Sequence, residues 1–78
     1  MSFNEWLETA KGFTNKSAHD AFSRLKRVYD LTGKDHVNKS TLDELATNAN
    51  FLALSVSVKS QLRRTTKLYL EYQESKTK

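Results

Sequence analysis

Ser57–Gln73, SVKSQLRRTTKLYLEYQ, carries two kinds of chemistry on opposite sides of one helix. Val58, Leu62, Thr65, Tyr69 and Tyr72 recur at the three- and four-residue steps that line one helical face. Lys59, Arg63 and Lys67 lie round the other face with Arg64 on its flank, and no acid interrupts them before Glu71. An apolar stripe needs other elements to bury it, whereas ammonium and guanidinium heads stay in water or meet an anion. The segment therefore predicts a helix packed into a small core on one side and showing a cationic ridge on the other.

Upstream, helix start signals recur. Ser2 with Glu5, Ser17 with Asp20 and Ser40 with Asp43 each place an acid three residues after a hydroxyl, so each serine is expected to cap a helix. Gly12 and Gly33 follow apolar stripes and are expected to end the first two helices in the left-handed conformation. The stripes are Phe3, Trp6, Leu7 and Ala10, then Ala18, Ala21, Phe22, Leu25, Val28 and Tyr29, then the short set Leu42, Leu45, Ala46 and Ala49. The last helix starts after Ser55 or Ser57, both of which precede a valine in SVSV. Alternation in SVSV is strand-like, but a lone strand has no partner elsewhere in the chain. Phe51, Leu52 and Leu54 form an apolar connection expected to plug one end of the core.

Composition bounds the function. A chain of 78 residues makes one domain and buries roughly 60% of its unfolded surface, too little for a deep substrate cleft. It has no cysteine, hence no disulfide framework and no thiolate metal site, so packing must supply the stability. No apolar run approaches the roughly 20 residues that span a bilayer, and MSFNEWLETA lacks the basic start and hydrophobic stretch of a secretory signal. The expectation is a soluble, cytoplasmic protein without a membrane partner.

The residues offer no catalytic set. His19 and His36 are isolated, and Glu5, Glu8, Asp43 and Glu44 sit beside helix starts, where the helix dipole and capping account for them. Gly33-Lys34 lacks the preceding glycine and following hydroxyl of a phosphate loop. NKSAHD and NKSTLD match the glycosylation acceptor pattern, but each is assigned to capping because no secretory signal accompanies it. No enzyme, cofactor or metal site is expected.

The formal charge of +4 is modest, but its placement is uneven. Residues 56–70 hold four bases and no acid, while Ser40–Phe51 holds Asp43 and Glu44 and no base. The second helix adds Arg24, Lys26 and Arg27, with Arg27 near the middle of its outer face. If the second and last helices pack side by side, these seven cations share one surface; alternatively some pair with Asp20, Asp30 or Glu71. Trp6, Phe22, Tyr29, Phe51 and Tyr69 fall on the stripes or the connection and read as core rather than as a base-stacking platform. Leu70 lies near the side bearing Lys59 and Arg63, where it packs against the first helix or belongs to a protein interface.

The order of these features resembles the N-terminal core-binding (SAM-like) domain of phage-type tyrosine recombinases, the integrases. SFNEWL is similar to its first helix, SAHDAFSRLKRVYDLTG to its second, VNKSTLDEL to its short third and LSVSVKSQLRRTTKLYLEY to its fourth, from Ser2 to Tyr72. The resemblance implies a four-helix domain that clamps one side of duplex DNA during recombination, with catalysis in a separate domain that has no counterpart here. It further implies a DNA-binding fragment of a larger protein or a stand-alone relative.

The expectation is an all-α, compact bundle of four helices with a short third, a non-enzymatic module that meets double-stranded DNA through its phosphates. Arg27, Arg63 and Lys67 are the leading phosphate contacts, with Arg24, Lys26, Lys59 and Arg64 flanking them. The alternative is a protein-interaction module, of the kind appended to a nuclease or an ATPase, docking through the basic ridge or the Leu70 region.

Overall fold

A computed structural model describes residues 2–76, which form five helices and, among the described residues, no strand. The helices are α1 (Phe3–Ala10), α2 (Asn15–Thr32), α3 (Thr41–Ala46), α4 (Ala49–Leu52) and α5 (Val56–Lys76). The all-α class is as expected; the count exceeds the expected four because the third helix stops at Ala46 and the stretch from Ala49 into the expected apolar connection forms a helical turn of its own.

Local chemistry explains where each helix begins. The Glu5 N–H donates to Ser2 Oγ at 3.2 Å and the Ser2 hydroxyl donates back to Glu5 Oε1, so α1 starts at the expected serine. α2 starts earlier than expected. Thr14 is its cap, accepting the Ser17 N–H at 3.1 Å, and Ser17 is the third residue of the helix. A hydroxyl immediately after the Gly12 turn captures the first free N–H, so the later serine has no cap left to make. Ser40 precedes α3 but makes no side-chain cap bond: its backbone is already helical, at φ −83° and ψ −7°, and its hydroxyl donates to Asn38 Oδ1. Asn38 organises this turn instead, accepting the Ser40 N–H at 2.9 Å and donating its own N–H to Thr41 Oγ1 at 3.0 Å.

The glycines end helices as expected. Gly33 has φ +69°, and the Lys34 N–H returns to the Tyr29 carbonyl at 3.2 Å; Gly12, at φ +70°, lets the Phe13 N–H reach the Leu7 carbonyl at 3.0 Å. Open space surrounds both positions, so the backbone angle rather than crowding demands glycine.

Asn48 creates α4. Its Oδ1 accepts the Phe51 N–H at 2.9 Å while its Nδ2 donates to the Leu31 carbonyl at 2.7 Å, tying this single turn to the end of α2. Successive residues of a helix point about 100° apart, so Phe51 is fully buried whereas Leu52 is 52% exposed and takes no part in the expected plug. Leu54 is half-buried against the core. The start of α5 resolves at Ser55, whose hydroxyl accepts the Val58 N–H and whose carbonyl accepts the Lys59 N–H.

The core lies between α2 and α5, which pack most extensively, with α1 across α2 and α3 and α4 covering one end. It contains Phe3, Trp6, Leu7, Ala18, Ala21, Leu25, Val28, Val37, Leu45, Phe51, Leu62 and Tyr72. Phe22 and Tyr29, expected inside, are half-buried on a flank. Thr66, outside the expected stripe, is fully buried and donates its hydroxyl to the Leu62 carbonyl at 2.8 Å, which satisfies its polar atom within the helix. Phe3, Trp6, Tyr69 and Tyr72 form an aromatic cluster where α1 meets the second half of α5, the Phe3 and Tyr69 rings meeting edge to face at 5.1 Å. Burial first, then the neighbouring Tyr69, pushes the Tyr29 phenol up to about 12.

Candidate nucleic-acid interface

The seven cations divide by helical geometry into groups that the linear sequence does not separate. Lys59, Arg63 and Lys67 occur at four-residue intervals on α5, which puts successive Cβ atoms roughly 5–6 Å apart in a single row. Arg63 and Lys67 are exposed and Lys59 is half-buried. The Arg63 guanidinium lies 5.9 Å from the centre of the Phe51 ring, so α4 supports this row from beside it.

Arg64 points to a different flank, about 100° from Arg63. There it lines an open groove with Arg24 and Asp20 of α2, Gln61, Thr65 and Leu68 of α5, and Phe13 and Thr14 of the preceding turn. α2 and α5 do pack together, as the shared-surface reading required, but the pair they bring together is Arg24 with Arg64. Lys26 is two residues from Arg24, about 200° round α2, and its ammonium sits 4.8 Å from the centre of the Phe22 ring. Arg27 is exposed on the outer side of α2.

None of the seven is neutralised by an acid among the described residues. The ion pairs found there are Lys11 with Glu71, Lys34 with Glu44 and, when the imidazole is protonated, His36 with Asp35. Glu71, the acid that closes the basic run of α5, is engaged by Lys11 of the α1–α2 turn, and Asp20 and Asp30 pair with no cation among the described residues. The cations are therefore available to an external anion, at little desolvation cost because most are already exposed.

Other surfaces are less directed. Among the described residues no group of three or more His, Asp or Glu side chains could hold a metal ion, and His19 and His36 are both exposed. No helix is long and apolar enough to cross a membrane. Leu70 is half-buried against the core and faces a shallow depression shared with Asn38, Lys39, Gln73 and Glu74, on the side of the α2–α3 connection. The large apolar side chains left open to solvent are Leu52 and Val56, 52% and 74% exposed, at the corner between α4 and α5. Sequence reasoning placed Leu52 inside and did not single out Val56; in the structure Leu52 ends the single turn of α4 and Val56 opens α5, both facing solvent.

No protein-family model matches the chain, and no curated protein or solved structure matches it.

Proposed function

We propose that this domain is a non-enzymatic module that binds double-stranded DNA, working in the cytoplasm and gripping phosphates with the Lys59–Arg63–Lys67 row of α5. The observation that carries this reading is the row itself: three cations at one helical spacing, largely exposed, with no acid among the described residues pairing any of them. A polyanion with regularly spaced charges satisfies such a row, and contacts of this kind hold a duplex without reading its sequence. The exposed Arg27 and Arg64 extend the positive field on either side. The resemblance to the integrase core-binding domain points the same way and assigns such a module to DNA recombination.

The test is a titration of a labelled duplex at several ionic strengths. With about four phosphates neutralised, log affinity should fall against log salt with a slope of about −3 to −4. Binding indifferent to salt, or absent at low salt, rejects the reading. The exposed pair Leu52 and Val56 beside the same end of α5 favours the second reading, a protein-interaction module, in which the domain pairs with an acidic partner and shows no affinity for duplex.

A further inference from the structure

We propose that the open groove between α2, α5 and the α1–α2 turn is a binding site for a phosphoryl group, separate from the row of Lys59, Arg63 and Lys67. Thr65 points to a ligand there. It lines the groove while only 2% exposed, and its hydroxyl makes no hydrogen bond among the described residues. Among the described residues no fully enclosed side-chain oxygen or nitrogen lacks a partner, so this hydroxyl remains open to the groove rather than sealed in the core. A threonine on the buried side of a helix satisfies itself on the preceding turn when it can, as Thr66 does with Leu62. Thr65 instead keeps a donor for something outside the fold.

Further donors converge on the same space. Arg24, half-buried, and Arg64, exposed, contribute guanidinium groups that no carboxylate among the described residues holds, and Gln61 contributes an amide. The Ser17 hydroxyl accepts the Thr14 proton at 3.0 Å, which leaves its own proton to donate. Asp20 also lines the groove and opposes an anion, but two guanidiniums against one carboxylate leave the site positive. A phosphoryl group has several acceptor oxygens arranged in three dimensions, so it can take forked bonds from two arginines and a hydroxyl bond together, whereas a planar carboxylate serves fewer of them. Because the groove is open, either a phosphodiester of a nucleic-acid strand or a free phosphate monoester has room to enter.

The experiment is an amide-resolved NMR titration of the full chain with inorganic phosphate at constant ionic strength, repeated with a short duplex as competitor. Saturable shifts should centre on Ser17, Arg24, Gln61, Arg64 and Thr65. Arg24→Gln and Arg64→Gln should each weaken binding about tenfold, the scale of one charge-assisted hydrogen bond. Thr65→Val keeps the shape of the side chain and should weaken binding without lowering the unfolding midpoint, while Asp20→Asn should tighten it. The double variant Arg63→Glu with Lys67→Glu should still take phosphate in the groove, so loss of duplex binding by the ridge and loss of this site are read separately. Displacement of phosphate by duplex identifies a phosphodiester as the source, and undisturbed phosphate identifies a free monoester. Shifts that do not saturate, or that persist in Arg24→Gln and Arg64→Gln, overturn the proposal.

Discussion

Thr14 and Ser40 show how narrowly a cap is decided. Both are hydroxyl residues beside a helix start, but Thr14 has extended backbone, at φ −72° and ψ 163°, and accepts the Ser17 N–H, whereas Ser40 is already helical and points at Asn38. Thr14→Ala should therefore cost about 0.5–2 kcal/mol, while Ser40→Ala should cost much less; denaturant unfolding of the two variants compares them directly. Equal losses would show that Ser40 does cap α3. Tyr29 supplies a pH prediction at the same scale. Its phenol is held protonated in the fold up to about 12, against an ordinary value of 10.0. The folded state thus keeps this proton over a range in which the unfolded chain releases it, so stability is present below about pH 10 and falls as pH rises toward 12. Tyr29→Phe should flatten that decline in unfolding midpoints measured from pH 9 to 12, and an unchanged decline would locate the cause elsewhere.

Among the elements, α4 depends most on one side chain. A helix of four residues cannot sustain itself, and Asn48 supplies both its cap and its tether to the Leu31 carbonyl. Asn48→Ala should remove two hydrogen bonds, one of them long-range, and cost about 1–3 kcal/mol. Hydrogen exchange should quicken first at Phe51, whose N–H the asparagine holds. Retained protection there would mean that burial of the Phe51 ring alone forms the turn. The same dependence explains why the sequence reading carried the third helix on to Ala49 and took Phe51, Leu52 and Leu54 as a connection: Leu42, Leu45, Ala46 and Ala49 keep a helical period straight through the break. Nothing in that period reveals that Asn48 finds its second partner in α2.

For the molecule as a whole, the question is whether charge and stability reside on separable surfaces. Arg63 and Lys67 are exposed and pair with no acid among the described residues, so reversing both to glutamate should leave the helical circular dichroism and the unfolding midpoint close to those of the parent while abolishing duplex binding. Leu25→Ala, by contrast, should cost about 2–5 kcal/mol because it opens a cavity in the buried core. Phe22→Ala should cost less than an interior position would, since Phe22 is half-buried under Lys26. A charge-reversed protein that is folded and still binds duplex normally would make the α5 row a solvated face and leave the exposed Leu52–Val56 corner as the better candidate for function.

The all-α class, the two glycine helix ends, the cap at Ser2 and the buried stripe of Leu62, Thr65 and Tyr72 were legible in the sequence. Each rests on backbone angles, hydrogen bonds or side-chain period within a few consecutive residues, and such local terms act the same way in any surroundings. The separation of bases from acids along the chain was legible for the same reason. Tertiary structure decided that Val37 and Thr66 entered the core, that Leu52 left it, and that Lys11 rather than a base of α5 took Glu71. It also placed Arg24 and Arg64 along one groove with the Thr65 hydroxyl. These outcomes depend on crossing angles and on partners distant in the chain, where several alternatives of similar local energy compete and burial of the shared core selects among them.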